Sequence, residues 1–174
     1  MYERILVVVE TEPAASAAVA EGIALARSHA AELVFLAARP HLPLPVAEFP
    51  MMDVESSELF LREAARQTES DLADARALAD GAGIRSQVTS VPDGDDAASI
   101  VEAAARFGCD LIVVESTGRN AVARLLGGSV IPGLITRSTV PLLIVRHAQH
   151  GTDASTRVGA AAKVTPEDKG TTDR

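Results

Sequence analysis

The feature that most constrains this chain is an alternation of short, β-branched apolar runs with longer alanine-rich stretches. Ile5 to Val9 is an unbroken apolar run that Glu10-Thr11-Glu12-Pro13 ends. A run this short, rich in Val and closed by a turn former, reads as a strand buried on both faces. Ala14 to His29 follows, with Val19, Ile23 and Ala26 at helical spacing. Thr11 or Glu12 stands near its start, and Pro13 suits a first helical position because its φ is already helical. Leu33 to Ala38 is a second buried strand. Pro40, Pro43, Pro45 and Pro50 then mark an extended loop, since each lacks a backbone donor. Ser56 opens a long helix to Ala82, with Glu55 and Glu58 near its positive end. Leu59, Ala65, Leu72, Ala75 and Leu78 supply its apolar stripe, and Gly81 and Gly83 stop it.

The alternation continues to His147. Ser86 to Val91 is a third strand, and Pro92-Asp93-Gly94 is a turn. Asp96 to Phe107 is a helix with Ile100, Ala103, Ala104 and Phe107 inward. Leu111 to Val114 is a fourth strand, Gly118 to Gly128 a loop or short helix, Ser129 to Arg137 a helix, and Leu142 to Val145 a fifth strand. Five strands separated by helices imply the α/β class: one doubly wound, mostly parallel sheet with helices on both faces. Aromatics are 3% of the chain and Trp is absent, so the core is aliphatic, as a twice-covered parallel sheet requires. A chain of 174 residues suits one domain, read here as residues 1–147. Residues 148–174 are small and polar, and are expected to form a flexible tail.

Charge and composition exclude several function classes. The net charge is −8, from 16 basic and 24 acidic residues, which disfavours nucleic acid and anionic membrane as partners. No apolar stretch approaches the ~18 residues that a membrane span needs. Cys109 is the single cysteine and cannot form an internal disulfide; with no leader-like segment before Ile5, a cytoplasmic location is expected. The only lysines are Lys163 and Lys169, both in the tail. That removes a phosphate-binding P-loop and a response-regulator receiver, each of which needs a lysine in the domain. A dinucleotide fingerprint would follow the first strand, where Glu10-Thr11-Glu12-Pro13 stands. Ser129 lacks a nucleophile elbow, so a hydrolase is a poor reading. His29, His41, His147 and His150 lack metal-ligand spacing apart from the last pair, which reads as surface. Cys109 reads as a small buried residue, and Met51-Met52 as part of a packed loop.

Ligands of open parallel sheets bind beyond the carboxyl ends of the strands, at a switch in strand order. Small residues there let backbone amides reach a phosphate, and a following helix start favours negative charge. The segment after the fourth strand has this character. It reads Val114-Glu115-Ser116-Thr117-Gly118-Arg119-Asn120-Ala121-Val122-Ala123-Arg124-Leu125-Leu126-Gly127-Gly128-Ser129-Val130.

This segment resembles the nucleotide loop of the universal stress protein family. The family pattern is Gly, two residues, Gly, nine residues, then Gly and Ser or Thr; Gly118 and Gly128-Ser129 match its second half. Arg124-Leu125-Leu126, Ser138 to Val145, Gly94 with Ile100, and Cys109 to Val113 are also similar. The resemblance covers residues 3–147. It implies an adenine nucleotide alpha hydrolase-like fold, Rossmann-like, of strand order 3-2-1-4-5. It also implies a site built from Val9, Glu10, Ala38, Glu115, Gly118, Arg119, Gly128, Ser129 and Val130, with no catalytic residue and no resident metal. ATP or AMP with Mg²⁺ is the ligand that the family pattern would hold. A homodimer through Leu142 to Val145 is implied as well, because an apolar edge strand asks for a partner.

Two positions depart from the pattern. Glu10 stands where the family's ATP-binding members have Asp, which keeps the charge. Glu115 stands where they have the first glycine, and replaces a backbone approach with a long anionic side chain. A carboxylate ~4 Å from a phosphate at an effective dielectric of ~20 costs on the order of 4 kcal/mol, about three decades of affinity. Glutamate would also be strained if position 115 required a positive φ, which glycine tolerates. Three readings stand: the two glutamates face solvent or pair with Arg119 or Arg124; they make the pocket hostile to nucleotide; or a divalent cation bridges them to a phosphate. The expected function is a stress-associated regulatory or binding protein with weak or absent ATP binding. The alternative is an ATP-dependent switch with slow ATPase activity.

Overall fold

The computed structural model describes residues 1–9, 13–38, 54–91, 97–116 and 130–146. The strands are β1 (Arg4–Val9), β2 (Glu32–Ala38), β3 (Ser86–Val91), β4 (Leu111–Ser116) and β5 (Leu142–Arg146). The helices are α1 (Ala17–His29), α2 (Val54–Gly81), α3 (Ala97–Phe107) and α4 (Val130–Arg137), with a 3-10 turn at Pro13–Ala15. The five strands form one sheet of order β3-β2-β1-β4-β5, and each described pairing is parallel. The order reverses between β1 and β4. Helices α1 and α2 cover one face, and α3 and α4 the other.

Strand alternation assigns every core residue to a face. Ile5, Val7 and Val9 of β1, Leu33, Phe35 and Ala37 of β2, and Leu111 and Val113 of β4 pack under α1 and α2. Leu6, Val8, Val34, Leu36, Ile112 and Val114 point the other way, onto Ala97, Ile100, Ala103 and Ala104 of α3 and Leu134 of α4. Each fully buried Leu, Ile or Val contributes roughly 1.5–3 kcal/mol, so the two layers hold the sheet mainly by aliphatic burial, with Phe35 the one fully buried aromatic among the described residues. The amino end is tied by ions. Arg4 bonds Glu32 at 3.0 Å and the Phe107 carbonyl at 2.7 Å, while Arg85 reaches Glu32 at 2.9 Å.

Three expectations need correction. Helix α1 does not run from Ala14: Pro13 opens a 3-10 turn and the α-helix starts three residues later, behind Ser16. The reason is local, because the Ser16 hydroxyl accepts the Val19 N–H at 3.4 Å, an N-cap. The α2 stripe is as expected only in part: Leu72 and Ala75 are buried, joined by Thr68, Asp71 and Ala79, whereas Leu59 is 68% exposed and Leu78 39%. Strand β4 runs two residues past Val114 and takes in Glu115, which pairs with Val145. Glu115 therefore has ordinary strand geometry, and the only non-glycine residue with positive φ among those described is Ala30. The expected tail, the Pro-rich loop and Met51-Met52 lie outside the described residues.

Candidate functional site

The site is set by the reversal of strand order. At the carboxyl ends of β1 and β4 the helices that follow go to opposite faces, the position at which open parallel sheets form a ligand crevice. Val7 of β1 is the register partner of Val113 of β4. Two residues further along each strand stand Val9 and Glu115, on the same face as α1. Val9 is buried among the α1–α2 core residues, and Glu115 is half-buried.

Glu115 reaches across to the start of α1. Its Oε2 accepts the Ser16 hydroxyl at 2.7 Å and lies 3.4 Å from the Ala18 backbone nitrogen, whose N–H points at it. Ser16 thus has two roles: its oxygen caps Val19 N–H while its proton goes to Glu115. The first N–H groups of a helix have no partner within it and carry the positive end of its dipole. A carboxylate from the neighbouring strand occupies that place. Charge-assisted bonds of this kind are roughly twice as strong as neutral ones.

The expected site residues divide in four. Val9 and Glu115 come together on the α1 face. Val130, at the start of α4, packs against the core of the opposite face. Ala38 ends β2 in register with Val91. Glu10, Gly118, Arg119, Gly128 and Ser129 lie outside the described residues, and so does Arg124. Ser16 and the Ala18 amide were missed in the sequence. The signal was present: a serine ahead of an alanine-rich helical run is an N-cap signature, here overshadowed by Pro13. Among the described residues no three His, Cys, Asp or Glu side chains are grouped to hold a metal ion. Among them, too, no helix is long and apolar enough to cross a membrane. A polar groove lined by Glu32, Arg76, Asp80, Arg85, Ser86 and Gln87 lies at the other end of the sheet, where strands begin.

The universal stress protein family profile matches residues 1–146. This chain belongs to that family. The relative "Stress response protein NhaX" of Bacillus subtilis (strain 168) is 35% identical over 94 residues, 54% of this chain and 55% of its own length. The match therefore spans about half of that protein. A universal stress protein solved in complex with cAMP superposes with a TM-score of 0.57 at 23% identity, covering 84% of this chain and 98% of its own. The universal stress protein from Archaeoglobus fulgidus in complex with dAMP gives 0.54 at 16% identity, covering 83% and 98%. These likenesses confirm the fold, including the strand order expected of this universal stress protein.

Proposed function

We propose that this universal stress protein is a stress-associated binding or regulatory protein whose adenine-nucleotide site is degenerate, with ATP held weakly or not at all. One observation carries the reading: Glu115 Oε2 is bonded to Ser16 and directed at the Ala18 amide, so the protein's own carboxylate neutralises the anion-attracting start of α1. A triphosphate entering the crevice meets a fixed negative charge. It works in the cytoplasm, a placement that the free, buried thiol of Cys109 supports.

Isothermal calorimetry with ATP and Mg²⁺ tests this. The expected dissociation constant is millimolar or weaker, and a micromolar one overturns the reading. Glu115→Gly is expected to tighten ATP binding by about one to three decades, the range spanned by screened and unscreened repulsion. Unchanged affinity in that variant would show the charge argument to be wrong.

A second reading, a nucleotide-dependent switch with slow ATPase activity and Mg²⁺, draws on the relatives solved with cAMP and dAMP. Nucleotide retained through purification would favour it. With no Trp and one Tyr, the ultraviolet spectrum reports such a passenger cleanly.

A further inference from the structure

Where α2 ends and β3 begins, at the opposite end of the sheet from Val9 and Glu115, lies a groove of about 360 Å³. Ligand pockets run from roughly 300 to 1,000 Å³, so it has room for a small molecule. Glu32, Arg76, Asp80, Arg85, Ser86 and Gln87 line it. A strand of six residues separates the two ends of the sheet by about 20 Å, so what binds here is independent of the nucleotide reading.

Two arginines and two carboxylates balance the charge of this lining. Glu32 Oε1 is 2.9 Å from Arg85, and its Oε2 is 3.0 Å from Arg4. Each Glu32 oxygen therefore has its own guanidinium, while the exposed Arg85 keeps most of its five N–H donors for a ligand. Arg76 Nε and Asp80 Oδ2 stand 3.8 Å apart and are both exposed. A pair of that kind is weak, and a ligand can replace it at little cost. Asp80 belongs to the last turn of α2, which has no basic residue, so the negative end of the helix dipole adds to its charge. Ser86 Oγ is buried with no hydrogen-bond partner. Buried hydroxyls are nearly always paired, and a ligand oxygen at the start of β3 would satisfy this one.

A simple anion in this groove meets Asp80 and the negative end of α2. A simple cation meets two guanidiniums. A molecule with both charges offends neither. We propose that the groove binds a small zwitterion with an ammonium and a carboxylate, the chemistry of a free amino acid. Arg85, held in place by Glu32, takes the carboxylate through its planar fork. Asp80, at the end of α2, takes the ammonium.

Titration of the full chain, followed by amide NMR, tests the proposal with L-alanine, ethylamine, N-acetyl-L-alanine and inorganic phosphate. Ethylamine lacks the carboxylate, and N-acetyl-L-alanine lacks the ammonium. L-Alanine is expected to shift the amides of Ser86 and Gln87 with a dissociation constant of roughly 0.3–3 mM, as exposed charges allow. The other three are expected to bind about tenfold more weakly or not at all. Arg85→Gln and Asp80→Asn are each expected to weaken L-alanine by about three- to tenfold. Both positions are exposed, and thermal melts establish that the variants are folded; if they are not, the wild-type selectivity decides. No shift at these amides overturns the proposal. So does N-acetyl-L-alanine or phosphate binding as tightly as L-alanine, which would make the groove a plain anion site. Ethylamine binding as tightly would make it a cation site, and unchanged affinity in both variants would place the ligand elsewhere; either result overturns the proposal too. None of these outcomes bears on ATP, which calorimetry measures separately.

Discussion

Ser16 joins two hydrogen bonds, accepting from Val19 N–H and donating to Glu115, and so ties the first turn of α1 to the end of β4. Ser16→Ala removes both at once and leaves a half-buried carboxylate short of a donor. The expected loss is about 1–2 kcal/mol, a fall in Tm of roughly 3–8 °C for a chain this size. Chemical denaturation of Ser16→Ala, Glu115→Gln and the double variant measures the coupling directly. Strictly additive losses would mean that the bond contributes nothing. The Cys109 thiol gives a pH prediction. Burial pushes it up from 9.0 to about 11, with Arg4 opposing and Asp110 adding a little. Its folded pKa lies above its unfolded one, so its contribution is fully present below pH 9 and is lost as pH rises from 9.0 to about 11. That contribution is on the order of 2 kcal/mol. Denaturation midpoints of the wild type should decline across that window relative to Cys109→Ala, and alkylation at neutral pH should be slow until the protein unfolds.

At the scale of elements, two glycines measure how closely helices lie on the sheet and on each other. A Cβ on Gly22 of α1 would stand 2.5 Å from Val7 Cγ2, and one on Gly133 of α4 would stand 2.7 Å from the Ala97 Cβ of α3. Gly22→Ala should destabilise by about 1–3 kcal/mol through overpacking, despite alanine's better helix propensity. A rise in Tm would show that α1 can back away from β1. The three central strands were legible because a buried parallel strand is a local signal, a β-branched run with a stop, and the half-exposed edge strands β3 and β5 because a short apolar or alternating run between helices also reads as a strand. The order in which they pair was not local and came with the family resemblance. The α2 stripe was misjudged in part, for a related reason. A helix of 28 residues is about 42 Å long, whereas a strand of six covers about 20 Å. The turn bearing Leu59 therefore extends beyond the sheet, and no helical periodicity reveals that. Glu115 shows the same limit. Its charge was plain, but its direction depended on β4 continuing two residues, which carries the side chain to α1's face.

At the scale of the whole molecule, the sheet has two edges of different chemistry. Strand β3 reads Ser-Gln-Val-Thr-Ser-Val and offers mostly polar side chains. Strand β5 reads Leu-Leu-Ile-Val-Arg; Leu143 and Val145 pack toward the α1 face and Leu142 toward the other, while Ile144 is 38% exposed. Both edges carry unpaired backbone donors and acceptors in a monomer; β3 exposes the single apolar Val88 at 39%, whereas β5 is apolar over four consecutive residues, Leu142 to Val145. A second copy placed edge to edge across a two-fold axis meets the same surface on itself, the closed arrangement most common among soluble oligomers. We therefore propose a homodimer through Leu142 to Val145. Light scattering at tens of micromolar is expected to give about twice the chain mass of 18.1 kDa. Ile144→Lys puts a charge on the edge without touching the fully buried core, and is expected to give a folded monomer. A monomeric wild type would overturn the proposal. A dimeric Ile144→Lys would move the interface away from β5, and the exposed Ile135 of α4 would then be the next residue to test.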